Sequence, residues 1–97
     1  MGYNLYKLND IFKLAYQKAT IKTVYKKLGE FIRDKNIDDL ELLKNFIIKY
    51  FYKSSKQKQW LEQNLLDFLK DSAKGIEKKE FGEFAKYLKL NFFKGDE

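Results

Sequence analysis

Lysine supplies most of the chemistry open to this chain of 97 residues. From Leu42 to Leu61 the sequence carries Lys44, Lys49, Lys53, Lys56 and Lys58 and no acidic residue, so this stretch nearly accounts for the net charge of +6. Lys49 and Lys53 are four apart and share a helix face. Lys56 and Lys58 follow where the next helix should begin, and Tyr50 and Tyr52 lie among them. Such a ridge neutralises a phosphate backbone as a row of point charges, with aromatic rings available for stacking. The competing reading is a solvated face in a lysine-rich chain, with Tyr50 in the core. Lysines at a helix N-terminus oppose the helix dipole, a local cost that favours the binding role.

Lys22, Lys26 and Arg33 form a second basic stripe, flanked by Lys27 and Lys35, which reads equally well as the outer face of an amphipathic helix. A third set is Lys86 and Lys89 beside Tyr87. Nineteen of the twenty basic residues are lysine, Arg33 being the exception. Contacts made by such residues follow shape and backbone rather than base identity. The same excess is what an AT-rich coding sequence would produce.

The remaining side chains exclude most catalysis. Without histidine or cysteine there is no imidazole base, no thiolate nucleophile, and neither of the two commonest transition-metal ligands. The carboxylate pairs Asp38/Asp39 and Asp96/Glu97 read as a helix start and a terminal tail. No two glycines lie close enough to form a phosphate loop. The expectation is therefore a binder with no catalytic residue, no cofactor and no metal.

Five segments have a helical apolar period. Asp10 is read as the cap of a short first helix with Ile11, Phe12, Leu14, Ala15 and Tyr16. Ile21, Val24, Tyr25, Leu28, Phe31 and Ile32 form the clearest stripe, with Thr20 as a cap or with both segments running together as one bent helix. Asp34-Lys35-Asn36 interrupts that pattern. Asp38 or Asp39 starts a third helix with Leu40, Leu43, Ile47, Tyr50 and Phe51 inward. Ser54-Ser55 ends it and caps a fourth that buries Trp60, Leu61, Leu65, Phe68 and Leu69 and stops at Gly75. A fifth runs from about Glu77 to Phe93, with Phe81, Phe84, Ala85, Leu88 and Phe92 inward and Gly95 closing it. The short connections predict one all-α domain over residues 1–97, a compact bundle of four to five helices with sequential neighbours antiparallel.

Three segments together resemble a known family. Thr20-Ile21-Lys22-Thr23-Val24-Tyr25-Lys26-Lys27-Leu28 is similar to a Thr-rich helix start followed by a base. Ile47-Ile48-Lys49-Tyr50-Phe51-Tyr52-Lys53-Ser54-Ser55-Lys56 resembles an apolar, Tyr-containing helix ending in small residues and a base. Phe84-Ala85-Lys86-Tyr87-Leu88-Lys89-Leu90, with Gly95 beyond, looks like an aromatic helix with a closing glycine. In this order they resemble the small helical subunit of type III-A CRISPR–Cas effector complexes. Ser54-Ser55 stands where that family's turn usually contains Gly, and Lys56 where its base is commonly Arg.

The resemblance implies a non-catalytic five-helix bundle whose copies stack along a guide–target RNA duplex, contacting target RNA through basic residues. On this reading the partners are RNA and other subunits of a ribonucleoprotein, with self-association. Lys49, Lys53, Lys56 and Lys58 are the first nucleic-acid contacts, and Lys22, Lys26 and Arg33 the second. The rival is a small protein-interaction module, such as a phage-type inhibitor. Met1-Gly2-Tyr3-Asn4-Leu5 has no signal-peptide layout, and Tyr6 sits where a myristoylation motif wants Ser or Thr. A cytoplasmic protein without membrane attachment is expected.

Overall fold

The computed structural model describes residues 5–13, 21–76 and 82–89. They form α1 (Leu5–Lys13), α2 (Ile21–Asp34), α3 (Leu40–Phe51), α4 (Ser55–Lys74) and α5 (Gly82–Tyr87). The result is an all-α bundle of about five helices with short connecting loops. The Thr20 cap, the alternative of one continuous first helix, and residues 77–81 and 90–95 of the expected fifth helix fall outside the described residues; within them α5 ends at Tyr87, so Leu88 and Lys89, expected inside that helix, follow its end.

α4 is the organising element. Its twenty residues span about 30 Å, and α2, α3 and α5 all pack against it. Leu61, Leu65, Phe68 and Leu69 are fully buried along it. The α2 stripe behaves as its spacing predicts: Val24, Tyr25, Leu28, Phe31 and Ile32 are buried, and Ile21 packs at the margin. Tyr25 meets Phe68 edge-on, with ring centroids 5.2 Å apart. Phe12 of α1 meets Phe51 of α3 at 5.1 Å in the same manner.

Helix ends follow local chemistry. Asp39 caps α3, its carboxylate accepting the Leu42 N–H at 3.2 Å. Asn36 (φ 52) and Gly75 (φ 72) both adopt the left-handed conformation that ends a helix. After α2, the Ile37 N–H returns to Ile32 and the Asn36 N–H to Arg33. After α4, the Ile76 N–H returns to Asp71 and the Gly75 N–H to Ser72. Each pair closes carbonyls that the helix leaves open.

Four further details depart from the sequence reading. Asp10 caps nothing; it lies within α1, because Leu5, Leu8, Ile11 and Phe12 make one stripe that starts the helix earlier. Tyr50 is 39% exposed, and Ile48 fills the core position beside Ile47 and Phe51. The more apolar side chain takes the buried face, and the phenol stays in water. Trp60 is half-buried against α5 rather than enclosed. Finally, α2 finds a principal partner in α4, two elements on, because small residues let the two helices approach. A Cβ on Gly29 would collide with the carbonyl oxygen of Ser72, and the Ser72 hydroxyl donates to the carbonyl of Tyr25.

Candidate functional site

The first turn of α4 gathers the basic residues of two distant segments. Ser54 is the cap, its hydroxyl accepting the Gln57 N–H at 3.1 Å. Gln57 occupies the third helical position of a Ser-x-x-Gln capping pattern. Its carbonyl oxygen reaches one residue before the cap and accepts the backbone N–H of Lys53. Its amide nitrogen donates to the carbonyls of Tyr87 at 2.6 Å and Lys89 at 3.2 Å. Gln57 is only 6% exposed, and these bonds give both ends of its buried amide a partner. One side chain thus joins the α3–α4 junction to the end of α5.

That joint creates a cleft of about 420 Å³, lined by Lys53, Ser54, Lys56, Gln57, Lys86, Tyr87 and Lys89. Four of those seven described lining residues are lysine and none is acidic. The first turn of α4 contains no acidic residue either, so the positive end of a long helix dipole adds to the lysines. Trp60 stacks on Tyr87 at a centroid distance of 5.0 Å and 18° between planes, and meets Phe84 edge-on at 5.2 Å. The Lys86 ammonium lies over the Tyr87 ring, 5.3 Å from its centroid.

The expected contacts divide between several places. Lys53 and Lys56 line this cleft. Lys49 is exposed on the last turn of α3 with its ammonium 5.3 Å from the Tyr50 ring, and Lys58 lies 5.5 Å from the Tyr52 ring. Neither lines the cleft. Lys44, first in the acid-free run, reaches back to Glu41 just outside it at 4.0 Å.

Lys22, Lys26 and Arg33 line a second cleft of about 310 Å³ with Tyr25, Ser72 and Gly75. Here the Arg33 guanidinium donates to the carbonyls of Ser72 at 3.3 Å and Ala73 at 3.1 Å. A cation at the C-terminus of α4 is favoured by the dipole and by open carbonyls. Arg33 therefore has an internal task that the sequence does not announce.

Gln57 was also missed in the sequence, although Ser54 followed by Gln57 is a recognisable capping signal. Lys86 and Lys89 were visible only as a separate stripe, since their approach to Lys53 and Lys56 depends on a contact across thirty residues. Among the described residues, no group of three or more His, Cys, Asp or Glu is placed to hold a metal ion. No helix among them is long and apolar enough to cross a membrane. Comparison with protein-family models, curated proteins and solved structures yields no match.

Proposed function

We propose that this protein is a non-enzymatic, RNA-binding subunit of a ribonucleoprotein. The reading follows the resemblance to the small helical subunit of type III-A CRISPR–Cas effectors, and phosphate is held through lysine. The observation that carries it is the meeting of Lys53 and Lys56 with Lys86 and Lys89 in one cleft at the positive end of α4. Lysines gathered in this way, at the positive end of a helix dipole, attract a polyanion. Lys49 and Lys58 extend the same reading along the adjoining helices. Fluorescence anisotropy with single-stranded RNA and duplex DNA across a salt series tests it. Saturable RNA binding that weakens with salt supports the reading, and no binding at low salt removes RNA as the direct ligand.

A second reading rests on a different surface. Leu42 (58% exposed), half-buried Phe46 and exposed Tyr50 follow one another at four-residue intervals on the outer face of α3. An exposed apolar stripe of this kind suits a protein-interaction module. Substituting Leu42 and Tyr50 would then abolish partner capture and leave RNA binding unchanged.

A further inference from the structure

The cleft between residues 53–57 and 86–89 contains an aromatic ring, which raises the question of what part of a nucleic acid it accepts. An aromatic residue in a basic cleft ordinarily serves as a platform for a base. Tyr87 is placed differently. The indole of Trp60 lies nearly parallel to it at 5.0 Å and covers one face. The Lys86 ammonium sits over the ring at 5.3 Å. A cation does not fit between two rings at that separation, so Lys86 covers the opposite face. An indole therefore covers one π-face of Tyr87 and an ammonium lies over the other before any ligand binds.

We propose that this cleft is a phosphate site that takes charge and leaves the bases outside. Lys56 and Lys89 supply ammonium groups from its two walls, and Gln57 fixes those walls relative to each other through its bonds to Lys53, Tyr87 and Lys89. The ligand class is a phosphodiester run or a short linear polyphosphate. This deepens the RNA-binding reading and rests on it for the choice of RNA as the natural source of the phosphates.

The experiment compares three probes on the full chain at one low salt concentration. They are a mixed-sequence RNA of about twelve nucleotides, an abasic phosphodiester oligomer of the same length, and inorganic tripolyphosphate. Trp60 is the single tryptophan, and it stacks on a cleft residue, so its emission reports occupancy directly. The expected result is that RNA and the abasic oligomer bind within about threefold of each other, since backbone charge supplies the affinity. Tripolyphosphate displaces both, and Lys56→Ala combined with Lys89→Ala weakens both by about tenfold or more.

RNA binding about tenfold tighter than the abasic oligomer would mean that a base is seated, overturning the charge-only site while the RNA reading stands. Unchanged affinity in the double variant, with circular dichroism confirming its fold, would place the binding elsewhere and overturn the site. If tripolyphosphate binds and neither oligomer does, the phosphate site stands and the RNA reading falls. If none of the three binds, both fall.

Discussion

The side-chain amide of Gln57 donates to the carbonyl oxygen of Tyr87 at 2.6 Å, joining the start of α4 to the end of α5 through one buried group. The same amide group serves Lys89 and the backbone of Lys53. Leucine at this position keeps nearly the same volume and removes every one of those bonds. Two carbonyls and one N–H would then have to find water or remain unpaired. Gln57→Leu is expected to lose about 2–3 kcal/mol of stability in urea unfolding. At low denaturant it should also weaken phosphate binding, because the two lysine-bearing walls are no longer fixed. A stability change under about 0.5 kcal/mol would show that the joint is dispensable.

Gly29 gives the second expectation. Alanine favours an isolated helix over glycine by about 1 kcal/mol. Here, however, a Cβ would press on the Ser72 carbonyl and lie 3.1 Å from both the Ser72 hydroxyl and the Arg33 guanidinium. The obstructing carbonyl is backbone in a helix, so it yields only if α2 and α4 separate. Overpacking of this kind costs about 1–3 kcal/mol, which outweighs the propensity gain. Gly29→Ala should therefore lower the thermal midpoint. A raised midpoint would mean that the two helices part easily at this crossing.

The same crossing shows where sequence reading stops. The α2 stripe is legible because its apolar residues recur on a single face. The α3 face is less so, since Ile47, Phe51 and either Ile48 or Tyr50 satisfy helical spacing; the competition is decided by which side chain loses more by staying in water. Ser72 carries no sequence signal for its bond to Tyr25, forty-seven residues away. Lys53 and Lys56 were legible as a charge run, but Lys86 lies in α5 and Lys89 just after it. The packing of Trp60 and Phe68 on the aromatic rings of α5, with the Gln57 joint, brings the two sets together.

Arg33 separates stability from binding. Its guanidinium holds the carbonyls of Ser72 and Ala73 at the end of α4, a charge-assisted arrangement on a partly exposed surface. Arg33→Ala should cost about 1–2 kcal/mol of stability. Arg33→Lys should recover part of this, because both bonds come from one guanidinium nitrogen, Nη1, and an ammonium retains the charge and the donors to replace it. If Arg33 serves only this internal role, Arg33→Ala leaves the slope of log affinity against log salt for single-stranded RNA unaltered. A reduction of about 0.7 in that slope would show that Arg33 also neutralises a phosphate.

Lys56 should show the opposite behaviour. It lies in the first turn of α4, where a positive charge opposes the dipole and where Lys53, Lys86 and Lys89 line the same cleft. Replacing it with glutamate places the favoured sign at the helix start. A gain of about 0.3–1 kcal/mol in the ligand-free protein is expected, diminishing as salt is added. The same change should weaken RNA binding, with the salt slope falling by about 0.7 for each lost phosphate contact. Stability and binding would then move in opposite directions at one residue, as expected when a charge is retained for a ligand at the fold's expense. If Lys56→Glu destabilises the protein and leaves RNA affinity unchanged, the lysine serves the fold and the cleft has no claim on phosphate.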